Sequence, residues 1–257
     1  KYSGLALQEK DGEPLEDHAT GYGVVVAARA ACEFAGIDPK AATVAIEGFG
    51  KVGGGVARYL TEAGAKVVAV STIYGTAYNK DGLDVNQLLS ARKKAGDKAV
   101  QEYKDAQHID KQDIYFLPVD VLVPGARPYV IDKKNASRVK AKVISSIANI
   151  PITDEAEQLL FERGIHSVPD FISNAGGVVL GIVDILGGTA DDVFHALREL
   201  LTPSTHDILR EARQTGINPR ALAVRKTTDK VLKTRAGKEA IPPFEELLKI
   251  ARQRLKL

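Results

Sequence analysis

The stretch Gly48-Phe49-Gly50-Lys51-Val52-Gly53 carries the spacing G-x-G-x-x-G. It follows the β-branched run Thr43-Val44-Ala45-Ile46-Glu47 and opens a segment, Val52 to Ala63, of helical spacing. In that setting the motif has a mechanism. The first glycine permits a tight turn and the second lets backbone N–H groups approach a pyrophosphate. The third lets helix and strand pack closely, and the helix N-terminus then faces the anion. The loop is therefore expected to bind a dinucleotide, against the alternative of a purely structural glycine turn.

The end of the second strand should read the adenosine ribose. A carboxylate there would accept from a 2′-hydroxyl and repel a 2′-phosphate. The chain has Ser71-Thr72-Ile73-Tyr74 at that place, with no acid before Asp81. The hydroxyls of Ser71 and Thr72 can donate to a phosphate and Lys51 adds a positive charge nearby. These residues point to NADP, or to use of both NADP and NAD. The competing reading of Lys51 is a side chain turned to solvent.

No other chemistry stands out. The histidines at 18, 108, 166, 195 and 206 show no metal-ligand spacing, and neither a metalloprotease helix nor a Ser/His/Asp arrangement is present. His195 reads as a helix surface or partly buried residue. The single cysteine, Cys32, lies in the apolar run VVVAARAACEFAG and reads as a buried small hydrophobe, so no disulfide framework exists. No catalytic residue and no metal ligand is assigned from the residues themselves.

The elements that must position the loop follow from periodicity. GYGVVVAARAACEFAG reads as a helix ended by Gly36 and the turn at Pro39. KVVAVS from Lys66, PVDVLVPG from Pro118, AKVISSIANIP from Ala141 and HSVPDF from His166 read as strands; Asp81-Gly82 marks a turn before the helix DVNQLLSARKKAG, and TDEAEQLLFERG is a further helix. Strands separated by helices require right-handed crossovers, which predicts a doubly wound Rossmann-type α/β domain with a parallel sheet covered on both faces. From Asn174 onward the period stays helical. TADDVFHALRELL, with Thr189 and Asp192 placed as a capping pair, HDILREARQTG, NPRALAVRKTTDKVL and PPFEELLKIARQRLKL read as separate amphipathic helices broken by Gly or Pro. The expected division is a leading segment over 1–22, the dinucleotide-binding domain over 23–188 and a C-terminal helical segment over 189–257.

Composition sets limits. With 257 residues, 44% of them hydrophobic, the chain can bury a large core. A net charge of +2 argues for neither a nucleic-acid nor a membrane partner, although from Arg220 onward eleven Lys or Arg face four Asp or Glu. That basic bias reads as a solvated helix face. The absence of a run of eighteen apolar residues and of a disulfide framework leads to the expectation of a cytoplasmic protein. The chain holds no methionine, and its polar opening KYSGLALQEKDGEPLEDHAT has no hydrophobic periodicity. Either a segment has been removed or that opening is the tail of something longer.

Over nearly its whole length the chain resembles the coenzyme-binding half of the glutamate/leucine/phenylalanine/valine dehydrogenase family, and most of all glutamate dehydrogenases. The resemblance rests on ATGYGV, VAIEGFGKVG, YNKDGLDV, DVLVPGARPYVI, IANIP, TDEAEQLL and VPDFISNAGGVV in this order. It implies Thr20 as a contact on the nicotinamide side, Gly48, Phe49, Gly50, Lys51 and Val52 as the pyrophosphate cradle, Ala126, Ala148 and Asn149 along the nicotinamide ribose, and Asn174 on the nicotinamide carboxamide. Amide side chains suit such roles because they both donate and accept. Asn174 also fits a helix N-cap, and Asn149 a turn before Ile150-Pro151. There are departures. The family usually has Asn where Lys51 stands, although some members have Lys; it usually has Arg where Tyr22 stands, and Glu or Gln then Gly at Ser146 and Ile147; glutamate-specific members have Ser where Gly181 stands.

The family reaction, by the same resemblance, is oxidative deamination of an amino acid to a 2-oxo acid and ammonia. It needs a lysine and an aspartate that come from an N-terminal substrate domain without counterpart before Lys1. The implied function is the nicotinamide-dinucleotide-binding half of a glutamate-type dehydrogenase, with the amino acid engaged only together with a substrate domain, as a monomer or a homo-oligomer. The competing readings are a free-standing NAD(P)-binding module or sensor, and a degenerate relative that has lost coenzyme binding.

Overall fold

The computed structural model describes residues 4–235 and 244–255, so the first three residues of the polar opening and parts of the last expected helix, Pro242-Pro243 and Lys256-Leu257, lie outside it. The chain begins with a small antiparallel hairpin, β1 (Glu9–Lys10) and β2 (Glu13–Pro14). Asp11 and Gly12 join the two at φ 55° and 78°, the backbone of a tight primed turn that Asp-Gly favours. Ion pairs Arg58–Asp11 at 2.7 Å and Arg92–Glu13 at 3.2 Å tie this hairpin to the body.

Helix α1 (Leu15–Phe34) starts six residues before the expected Gly21, so Thr20 and Tyr22 are helical. Leu15, His18 and Ala19 are buried at i, i+3 and i+4. Histidine disguised this stripe, since it counts as polar. In the structure its Nε2–H donates to the Lys10 carbonyl at 2.7 Å and its Nδ1 meets the Tyr59 hydroxyl at 2.8 Å.

The alternating region runs β3 (Thr43–Glu47), α2 (Lys51–Glu62), β4 (Lys66–Thr72), β5 (Gly75–Tyr78), α3 (Val85–Ala95), α4 (Ala99–Glu102), β6 (Gln107–Ile109), β7 (Val121–Pro124), β8 (Val143–Ser145), α5 (Asp154–Glu162) and β9 (His166–Val168). Among the described residues, seven strands form one sheet in the order β6-β5-β4-β3-β7-β8-β9. The pairs from β4 through β3, β7 and β8 to β9 are parallel, as expected. The sheet is nevertheless mixed, because β5 and β6 add an antiparallel edge. Gly-Thr-Ala-Tyr and Gln-His-Ile are too short and too polar to announce a strand; pairing with β4 supplies what local propensity does not.

Both faces of the sheet are covered. Val44, Ile46, Val67, Val70, Val121, Val123 and Val143 pack on one side with α1, α2 and α3. Ala45, Val68, Ala69, Leu122 and Ile144 pack on the other with α5 and with short helical turns at Asp113–Phe116 and Ala136–Arg138. Burial on both sides explains why these strands are nearly continuous apolar runs.

After β9 come α6 (Asp170–Ser173), α7 (Gly176–Ile185), α8 (Ala190–Thr215), α9 (Pro219–Arg235) and α10 (Phe244–Leu255). The two helices expected on either side of Pro203 are one continuous α8, opened by the capping box of Thr189 and Asp192. An interior proline costs a helix about 3 kcal/mol. Here α8 stays whole because its first half is buried against α1 and α7 through Val193, Ala196 and Leu197 and its second half enters the sheet core through Ile208, Leu209 and Ala212. No helix of the described residues is long and apolar enough to cross a membrane.

Candidate functional site

The strand order places the turn of the topology between β3 and β7. One crossover leaves β3 toward β4, and the chain then returns to the other side of β3. At such a point the loops at the carboxyl ends of neighbouring strands part and leave a crevice. A cleft of about 470 Å³ lies there, lined by the loop Gly48–Gly53, by Ser71, Thr72 and Ile73 at the end of β4, and by Gly125, Ala126 and Arg127 after β7.

The three motif glycines have different reasons. Gly48 sits at φ 90°, where an L side chain is strained, and a Cβ there would lie 3.2 Å from the Ala126 nitrogen. A Cβ on Gly53 would stand 1.8 Å from the Gly48 carbonyl oxygen, so only glycine lets α2 close on the end of β3. Gly50 has φ −81° and ψ −160°, and a Cβ there would meet nothing within 4 Å. The fold does not demand its glycine. Gly50 lines the cleft.

The backbone donors divide the same way. The N–H groups of Gly48 and Phe49 both donate to the Ser71 carbonyl, at 3.2 and 2.8 Å. Those at the start of α2, from Lys51 and Val52, have no acceptor inside the helix by its geometry and carry the positive end of its dipole. Phe49 contributes backbone only, since its ring is buried in the core under the loop. Lys51 is exposed at the first turn of α2. Of the two hydroxyls at the end of β4, that of Thr72 is committed: it donates to the Asp97 carbonyl at 2.9 Å and accepts from the Tyr74 N–H at 3.3 Å. Ser71, also at the cleft, is buried.

Several lining residues were invisible to motif reading. The buried Glu47 carboxylate accepts from Gly125 N–H at 2.8 Å and Ala126 N–H at 2.7 Å, which fastens the β7 loop to the end of β3. Burial, followed by that carboxylate, raises the Tyr115 phenol above its usual range. Asp97, Lys111 and Gln112 close the β4 end of the cleft. The first lies 25 residues beyond Thr72 in sequence and the other two follow β6, so only the antiparallel edge brings them in.

Ala148, Asn149, Asn174 and Thr20 do not line this cleft but adjoin its Ile147 wall. The Ala148 N–H donates to the Pro124 carbonyl at 3.2 Å. The Asn174 amide donates to the Ile147 carbonyl at 3.1 Å and to the Asn149 side-chain oxygen at 2.7 Å. A Cβ on Gly176 would come within 2.4 Å of the Thr20 nitrogen, so Thr20 abuts the start of α7, two residues beyond Asn174. Asn174 is the residue after α6 rather than the N-cap of α7, which is Ala175. Eight of the twelve expected positions thus share the cleft, and the other four sit beside its Ile147 end.

Outside the cleft, Cys32 is buried and its thiol is pushed up to about 12, chiefly by burial. Among the described residues no group of three His, Cys, Asp or Glu is placed to hold a metal ion.

Fold and site together define a doubly wound α/β protein with a glycine-loop cleft at the turning point of its sheet. Residues 12–238 match the Glutamate/Leucine/Phenylalanine/Valine dehydrogenase family, and the chain belongs to that family. It is 37% identical over 230 residues to a glutamate dehydrogenase of Thermotoga maritima, covering 87% of this chain and 55% of the relative. With the NADP-specific glutamate dehydrogenase of Saccharolobus shibatae it shares 40% identity over 177 residues, 68% of this chain and 41% of the relative. The crystal structure of the hetero-hexameric glutamate dehydrogenase of Thermus thermophilus, in a leucine-bound form, superposes with a TM-score of 0.75 at 27% identity, covering 91% of this chain and 55% of that one. The chain spans about half the length of the curated relatives it matches.

Proposed function

We propose that this chain is the dinucleotide-binding half of an amino-acid dehydrogenase of glutamate type. Gly50 carries the reading: its backbone has no internal need for glycine, yet a side chain there would project into the cleft at the start of α2. A bound nicotinamide coenzyme would supply the hydride acceptor or donor. The chain's own residues bind and orient. The N–H groups at the start of α2 would hold the pyrophosphate, and Ala126, Ala148 and Asn149 would flank the nicotinamide ribose. Asn174 would meet the carboxamide, with Thr20 on the same side. Holding the reacting ring in one attitude converts an encounter into a positioned step.

In this reading the lysine and aspartate that move protons come from a substrate-binding half outside these residues, and the amino acid is engaged only in its company. Both coenzymes fit the β4 end. Lys51 and Lys111 favour a 2′-phosphate and Asp97 favours a free ribose hydroxyl.

Titration of the chain with NADPH and NADH, followed by coenzyme fluorescence, tests the proposal. Binding of either at micromolar levels is expected, and no binding of both overturns it. The Lys51→Asn variant should weaken NADPH more than NADH; equal loss would remove Lys51 from the 2′-phosphate.

A further inference from the structure

A chain of contacts leads from the C-terminal helices to the Ile147 end of the cleft. Ile150 follows Asn149 and sits at φ 50°, a conformation that a β-branched residue keeps only where its surroundings over-determine it. Three bonds do so. The Asp170 carboxylate accepts the Ile150 N–H at 2.9 Å through Oδ2. The Ile150 carbonyl accepts from Tyr129 N–H at 2.9 Å. Asn149 is bonded to Asn174 at 2.7 Å.

Asp170 is itself buried, and its other oxygen, Oδ1, accepts from Arg220 Nη1 on α9. Arg220 also stands 3.8 Å from Asp154 and over the Phe171 ring, 5.5 Å from its centroid. Its guanidinium is thus fixed on several sides, although it does not line the cleft. A buried carboxylate that loses such a partner no longer has its orientation fixed. Without Arg220 on Oδ1 nothing on that side keeps Oδ2 aimed at the Ile150 N–H.

We propose that Arg220 is a positioning residue for the nicotinamide end of the site: it fixes the Asp170 carboxylate, which holds the backbone at Ile150 and so sets Asn149 against Asn174. This gives the C-terminal helical segment a task in coenzyme binding without touching the ligand. The inference rests on the coenzyme reading above and is tested so that the two fail separately.

The test compares the chain with its Arg220→Met and Asp170→Asn variants, by calorimetric titration with NADH and NADPH and with ADP-ribose and its 2′-phosphate, which lack the nicotinamide. The variants should bind the dinucleotides about tenfold more weakly, the scale of one lost charge-assisted contact. Their affinity for the ADP-ribose ligands should stay within about twofold, because the α2 cradle is intact. A general structural role for Arg220 would weaken both classes of ligand alike, and that result overturns the inference, as does unchanged dinucleotide affinity. Asp170→Asn keeps the side-chain shape and decides the matter where Arg220→Met does not fold. If the unsubstituted chain binds none of the four ligands, the coenzyme reading itself falls and the inference with it.

Discussion

Two glycines three residues apart in the loop should respond to the same methyl group in opposite ways. At Gly50 the backbone angles are open to any residue and an added Cβ meets nothing within 4 Å. Alanine there restricts the unfolded chain, a gain of about 0.4–1 kcal/mol. It is also a poorer helix N-cap than glycine by a similar amount, roughly 0.5–1 kcal/mol, so the net change should stay within about 0.5 kcal/mol. At Gly53 the Cβ would stand 1.8 Å from the Gly48 oxygen and 3.0 Å from the Gly48 carbon. Both are backbone atoms, so the overlap is relieved only by moving α2 off the end of β3, at a cost of about 3 kcal/mol or more. For a chain of this size each kcal/mol moves the melting temperature by roughly 2–4 °C. Thermal unfolding by circular dichroism should therefore show Gly53→Ala melting roughly 6–12 °C lower, with Gly50→Ala within about 2 °C of the parent. Coenzyme titration should rank them differently: Gly50→Ala, though stable, should lose affinity about tenfold or more because its methyl stands where the ligand must approach. A Gly50→Ala chain that melts as low as Gly53→Ala, or that binds coenzyme as the parent does, would refute the assignment of these glycines.

Other predictions concern buried polar groups. Glu157 is buried and its carboxyl is pushed up to about 7, chiefly by burial. Because the folded chain then holds a proton that the unfolded chain has released, stability should fall as pH rises from about 4.5 to about 7 and level off above it, by on the order of 3 kcal/mol. Glu157→Gln should abolish that slope in urea unfolding measured across this range, and an unchanged slope would exclude Glu157 as its source. Glu47→Ala leaves the Gly125 and Ala126 N–H groups without their acceptor and should lower stability by about 2–4 kcal/mol, with Glu47→Gln losing roughly half as much; the denaturation midpoint reads both. Cys32, with its thiol pushed up to about 12, should resist a thiol reagent at pH 8 in the folded chain and react fully in denaturant. Rapid labelling of the folded chain would contradict its burial.

The sequence by itself determined the parts whose reason is local. The run Thr43–Glu47, the glycine spacing after it and the apolar strands of the sheet centre were legible because burial on both faces leaves a continuous hydrophobic signature and because glycine spacing has a backbone meaning. So were the Thr189–Asp192 cap and the burial of Cys32. Tertiary structure decided what depends on partners far along the chain. The antiparallel β5–β6 edge has little propensity of its own and exists by pairing with β4; α8 passes Pro203 because its two halves pack against different cores. Helix α1 begins at Leu15 because His18 finds both its partners in other elements. In the site, Gly48–Val52 could be found by spacing, but Glu47, Asp97, Lys111 and Tyr115 become neighbours only when the sheet forms. The hydrogen bonds that the Glu47 and Asp170 carboxylates accept span 78 and 20 residues; no local pattern encodes such distances, and only the folded chain brings their ends together.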